Sequence, residues 1–187
     1  MKDWIAAYRV EQNKALLSVD PKAIERIVTL LKRAVDEDRQ IFVFGNGGSG
    51  ANASHFATDL GKGASDAFGK RFRVLSLNDN IPWISAIAND YSYDDVFRRQ
   101  LENYAQSGDL VLTMSVSGNS PNIIKAVEWC STKGVHTIAL LGAARGGVAE
   151  IADEVIIVES RHYGRVEDVH MNICHILCYA FMDKLKA

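Results

Sequence analysis

Five short apolar runs, interspersed with segments of helical periodicity, constrain this chain of 187 residues more than any other feature. The runs occupy residues 41–44, 73–77, 110–114, 136–141 and 155–158. The helical segments fall near 49–61, 81–88, 93–105, 120–133 and 165–185. A strand that is apolar along its whole length must be covered on both faces. Strands that alternate with helices pair in parallel, because each crossover helix returns the chain to the end of the sheet where the previous strand began. The pattern therefore predicts an α/β fold: a three-layer α-β-α sandwich around a five-stranded parallel sheet. Two extra helices, at 4–17 and 22–37, precede it. The second carries Ile24, Ile27, Val28, Leu31 and Val35 at helical spacing. Asp20 suits its N-cap and Pro21 its first position. No linker, repeat or low-complexity tract appears. The reading is one domain over 1–187, with helices at 1–38 used in packing or oligomerisation and an α/β core at 39–187.

Composition narrows the function classes. Lys plus Arg total 21 and Asp plus Glu 23, a net charge of −2. That balance argues against general nucleic-acid binding, which needs a basic stripe. No apolar run approaches the roughly 18 residues of a membrane span. Met1-Lys2-Asp3-Trp4 does not open a signal peptide. Cys130, Cys174 and Cys178 are an odd number without metal-pair spacing. They fit core thiols in a reducing cytoplasm.

In parallel sheets, ligands gather beyond the carboxyl ends of the strands. Two turns there carry chemistry. The first is Gly45-Asn46-Gly47-Gly48-Ser49-Gly50. Its small residues allow close backbone approach, and the following helix start favours an anion. It formally satisfies the dinucleotide pattern G-x-G-x-x-G, and a tight turn needing glycine is the plain alternative. The second is Ser115-Val116-Ser117-Gly118-Asn119-Ser120-Pro121. Its hydroxyls and backbone donors suit a phosphate without a lysine, with Ser120 as N-cap and Pro121 opening the helix. A well-capped helix is the alternative there. A dinucleotide would use the first turn and leave the second without a task; one sugar phosphate uses both. His55 and Asp59, four apart, share a helix face and suit one divalent metal.

These motifs resemble those of the sugar isomerase (SIS) domain, a flavodoxin-like fold. Asn89-Asp90-Tyr91, the 96–100 segment Val-Phe-Arg-Arg-Gln and the spacing Glu167-x-x-His170-x-x-x-x-His175 make the chain similar to the phosphoheptose isomerases. The match runs from about residue 24 to 185. The resemblance implies aldose–ketose isomerisation of sedoheptulose 7-phosphate through an enediol. It implies Asp59 as base and His175 as partner acid/base. It places zinc on His55, Asp59, Glu167 and His175. Asn46, Gly47, Gly48, Ser49, Asn89, Asp90 and Glu167 would hold the sugar. Ser115, Val116, Ser117 and Ser120 would hold the phosphate. It also implies a cytoplasmic homotetramer with its active site at a subunit interface.

Glu167 and His175 are eight residues apart, about 12 Å along a helix, whereas metal–ligand bonds are about 2 Å. Either Glu167 lies in a frayed first turn or neighbouring chains share the ligands. His170 falls about 140° round the helix from His175, in a supporting position. His136 reads as structural, and Arg161 and His162 lie in a loop near the site. The chain departs from the family pattern at several places. Asp59 stands where Glu is usual, Glu167 where Gln is usual, and Val116 where Thr is commoner. A basic residue is missing near Gly63, with Lys62 beside it. The competing readings are an isomerase of another sugar phosphate, a non-catalytic SIS adaptor or sensor such as a replication-initiator-binding protein, and, more distantly, a dinucleotide-dependent oxidoreductase.

Overall fold

The computed structural model describes residues 1–185. Helices α1 (Lys2–Leu17) and α2 (Pro21–Asp36) lead into strand β1 (Gln40–Gly45). Then follow α3 (Gly48–Thr58), a π-helical turn at Asp59–Ala64, the short α4 (Ser65–Phe68) and β2 (Arg73–Ser76). The chain continues through α5 (Ile81–Asp90), a 3-10 turn at Tyr93–Asp95, α6 (Arg98–Tyr104) and β3 (Leu110–Ser115). It closes with α7 (Pro121–Lys133), β4 (His136–Gly142), α8 (Val148–Ile151), β5 (Glu154–Val158), α9 (Tyr163–Tyr179) and a second π turn at Ala180–Lys184.

The five strands are parallel in the order β2-β1-β3-β4-β5. Alternation within each strand supplies two cores. Ile41, Val43, Leu110, Leu112, Ile138 and Leu140 face the side packed by α2, α3 and α9. Phe42, Phe44, Val111, Ala139 and Leu141 face the side packed by α5, α6 and α7. The expected three-layer sandwich is the observed one. The chain leaves β1 toward β2 on one side and β3 toward β4 on the other, so order reverses between β1 and β3. That reversal opens a crevice at their carboxyl ends, where Gly45 and Ser115 lie.

Asp20 caps α2 by accepting from the Lys22 N–H at 3.0 Å, with Pro21 at the first position as expected. Helix α1 buries Ala15 and leaves Trp4, Ile5, Val10 and Leu17 exposed. The helix expected over 49–61 ends its α geometry at Thr58 and widens into the π turn. The one expected over 93–105 is split by its 3-10 start, where the Ser92 hydroxyl accepts from Asp94 N–H. All three cysteines are buried and free, as core thiols. Burial pushes the Cys130 and Cys178 thiols up to about 12, with the charges of Asp153 and Asp59 respectively adding to it. Among the described residues, no helix is long and apolar enough to cross a membrane.

Candidate active site

The two turns meet at the β1/β3 crevice. A cavity of about 80 Å³ is lined there by Asn46, Ser49, Ser115, Val116, Ser117, Ser120, Tyr163 and Glu167. Gly47 takes a left-handed φ of 55°, which lets the chain turn from β1 into α3. Gly45 and Asn78 exchange two hydrogen bonds, Asn78 Nδ2 to the Gly45 carbonyl at 2.8 Å and Gly45 N–H to Asn78 Oδ1 at 3.2 Å. Asn78 thereby continues the ladder past the end of the short β2 strand and holds the glycine turn.

The serine turn is arranged to donate. The Ser115 hydroxyl oxygen accepts from Gly118 N–H at 3.0 Å, and that of Ser117 from Asn119 N–H at 3.3 Å. A hydroxyl whose oxygen is taken by a backbone donor has its own O–H left to give. Ser120 occupies the N-cap position of α7, but its hydroxyl makes no cap bond. It is left facing the cavity beside a helix N-terminus, which favours negative charge.

Helices α3 and α9 run side by side. At one end a β-carbon on Gly48 would stand 2.6 Å from the Glu167 carboxylate. One turn on, Asn52 Nδ2 donates to the Glu167 carbonyl at 2.9 Å. At the other end His55 Nε2 lies 3.2 Å and His175 Nε2 3.6 Å from Asp59 Oδ2. The ligand atoms of His55, Asp59 and His175 all lie within 4.8 Å of one another. Two imidazole nitrogens and a carboxylate oxygen match the donor set of a catalytic zinc site with an open position. The shorter aspartate therefore still reaches both histidines.

Glu167 is not in that group. Helix α9 is regular through Glu167 and His175, so the frayed-turn route to convergence is absent. Glu167 instead lines the serine cavity. Asn89 and Asp90 lie exposed at the carboxyl end of α5, bonded to each other at 2.9 Å and outside the cavity lining. Lys62 is exposed on the π turn. His162 caps α9 by accepting from Arg165 N–H and packs edge-on against Tyr8, 5.6 Å between ring centres. Arg161 is exposed beside it. His136, read as structural, has an acidic neighbour across the fold: Asp153 Oδ2 stands 3.6 Å from its Nδ1.

Sequence reasoning missed Asn122, Tyr93 and Tyr163. Asn46 and the buried Asn122 exchange two amide hydrogen bonds of 2.9 Å, and Tyr93 donates to Asn46 Oδ1 at 3.1 Å. The only local signal for Asn122 was its place just after Pro121, on the first turn of α7.

His170 is fully buried. Burial pushes its protonation down to about 4 from 6.5, with the Leu141 backbone opposing weakly. Between those values the unfolded chain binds a proton that the folded chain refuses. Stability is therefore full above pH 6.5 and falls as pH drops toward 4, by about 3 kcal/mol for this group. Urea midpoints measured across that window should fall in the wild type. The fall should be visibly smaller in His170→Leu; equal slopes would refute this assignment.

A fold of this strand order, with a hydroxyl-lined cavity at its switch point, is that of a doubly wound α/β domain with its ligand site at the strand ends. The SIS domain family matches residues 7–142. The phosphoheptose isomerase of Citrifermentans bemidjiense is 38% identical over 156 residues, 83% of this chain and 81% of that one. The solved phosphoheptose isomerase from Francisella tularensis superposes with a TM-score of 0.90 at 25% identity, covering 97% and 98% of the two chains. That of Neisseria gonorrhoeae gives 0.88 at 27%, covering 96% and 97%. The chain belongs to the SIS family and, within it, to the phosphoheptose isomerases.

Proposed function

We propose that the chain is an aldose–ketose isomerase that interconverts sedoheptulose 7-phosphate and D-glycero-D-manno-heptose 7-phosphate. One observation carries the assignment to a long substrate. The anion cavity and the His55/Asp59/His175 group sit at opposite ends of the paired helices α3 and α9. Their separation, some two helical turns or about 12 Å, suits a sugar chain with phosphate at one end and its reacting carbons at the other.

The serine hydroxyls and the N-terminus of α7 bind the phosphate. Asn46, held by Asn122 and Tyr93, Gly47 and Gly48 with their backbone groups, Ser49 and Glu167 orient the hydroxyls nearer the phosphate. Asp59 takes the proton from C2 or C1 and returns it to the neighbouring carbon. His175 moves the matching proton between the oxygens. General acid–base catalysis of this kind contributes roughly 10²–10⁴-fold. A zinc ion held by His55, Asp59 and His175 supplies Lewis-acid polarisation of the carbonyl when bound.

The exposed Trp4, Ile5, Val10 and Leu17 on α1 support the assembly of copies of the chain. We assign it a cytoplasmic homotetramer with sites at subunit interfaces, where a neighbour's groups complete the sugar site.

The direct test is conversion of sedoheptulose 7-phosphate by purified protein, followed by chelation. Activity should fall at least about tenfold after metal removal and return with added zinc. Full activity in chelator would reject the ion. No turnover of this sugar, with turnover of another sugar phosphate, would reject the substrate.

A further inference from the structure

His170 is a buried polar residue that neither the phosphate seat nor the proton transfers use. It is fully enclosed, and among the described residues neither ring nitrogen meets a partner in good hydrogen-bond geometry, the Leu141 backbone standing near without completing one. A neutral imidazole carries one N–H and one lone pair. Leaving both unmet in a packed core is unfavourable, and an apolar side chain of similar size would avoid the cost. The surroundings point to where a partner can come from. The Leu141 backbone lies close enough to the ring to favour its protonation, and Leu141 stands in register with Ser115. The next residue, Gly142, is so close to the serine turn that a β-carbon there would stand 2.6 Å from the Val116 carbonyl. Glu167, one helical turn before His170, is in the cavity wall. The strand end beside the ring thus adjoins the turn proposed to receive phosphate.

We infer that His170 is a positioning residue for the serine turn: when phosphate enters, the turn settles so that one of its backbone groups meets the His170 ring. The hydrogen bond missing from the free protein is then made in the bound one. A contact made in one state alone biases the equilibrium toward that state. This inference rests on the phosphate seat proposed above, and it adds that the seat is assembled by its ligand.

The test uses the full chain, ¹⁵N labelling and inorganic phosphate as the probe. Phosphate should shift the Ser117 and Ser120 amides and, with the same midpoint, the His170 ring nitrogens. His170→Leu should raise Tm, since unmet polar groups leave the core, yet bind phosphate about tenfold more weakly, as expected for one lost hydrogen bond. His170→Gln, which keeps a donor and an acceptor, should recover part of the affinity. A merely structural histidine would not move stability and binding in opposite directions. Shifted serine amides with a silent His170 ring would overturn the inference and leave the phosphate seat standing. So would a His170→Leu protein that binds phosphate as the wild type does. Serine amides unmoved by phosphate would remove both. Should the leucine variant fail to fold, the wild-type ring nitrogens decide.

Discussion

Asp59→Asn should lower kcat for sedoheptulose 7-phosphate by about 10²–10⁴-fold, the range of a lost general base, and leave KM within about threefold. The side chain keeps its shape and loses its charge. Asp59 Oδ2 is the atom that both His55 Nε2 and His175 Nε2 face, at 3.2 and 3.6 Å. An amide there keeps an acceptor oxygen or presents an NH₂ group, and in neither case removes a proton from carbon. The substitution also weakens the metal group, so bound zinc per chain must be measured beside kcat. Loss of kcat with zinc retained assigns Asp59 to the proton. Loss of both, repaired by excess zinc, assigns it to the ion alone. The phosphate seat lies two helical turns away along α3 and α9, which is why KM should hold. Asp59→Glu restores the charge one methylene further out. Displacement of a reacting group by about 1 Å can cost about 10²-fold, so partial activity is expected. An Asp59→Asn enzyme with near wild-type kcat would move the base to another residue.

The fold was legible because its signal is local. Apolar runs at 41–44 and 110–114 cannot be half-exposed strands, and each is followed by a helix-period segment; parallel pairing follows. The same kind of signal placed the serine and glycine turns, since strand, turn and helix start are consecutive in sequence. Features that depend on hydrogen-bond order or on distant partners were not legible. Apolar spacing does not distinguish an i→i+4 helix from the π turn that begins at Asp59. The Asn46–Asn122 pair joins residues 76 apart, and His136 finds Asp153 across the β4–β5 edge. His162 sits near the site in sequence terms, but its ring is spent on capping α9 and on Tyr8. The eight-residue spacing of Glu167 and His175 already raised the question of convergence. The continuous helix removes the frayed-turn route, and within one chain Glu167 lies outside the group formed by His55, Asp59 and His175.

Gly118→Ala should be the most damaging small change in the serine turn. Gly118 has φ +64°, and an alanine β-carbon there would stand 1.9 Å from the Arg145 carbonyl oxygen and 2.7 Å from its carbon. Those are backbone atoms, so no side-chain rotation relieves the clash. They are also held from the other side. Arg145 and Gly146 are themselves left-handed, and a β-carbon on Gly146 would meet the Gly118 carbonyl carbon at 2.3 Å. The Val148 N–H donates to the Gly118 carbonyl at 3.0 Å, and the Gly147 N–H to Asn119 Oδ1 at 2.9 Å. Separating the two loops breaks these bonds and shifts the Gly118 and Asn119 N–H groups away from the Ser115 and Ser117 hydroxyls they engage. A loss of about 3 kcal/mol or more is expected, roughly 6–12 °C in Tm for a domain of this size, with phosphate binding lost together with it. Gly47→Ala is the control. Its φ of +55° is also strained for alanine, but among the described residues nothing lies within 4 Å of the added carbon. With ψ at −123° it lies outside the left-handed helical region, so alanine should cost about 1–3 kcal/mol there, the conformational part alone. The difference between the two variants measures the interlock of the two loops. If both lose the same stability, that interlock contributes nothing, and the serine turn must owe its shape to Ser115 and Ser117 alone.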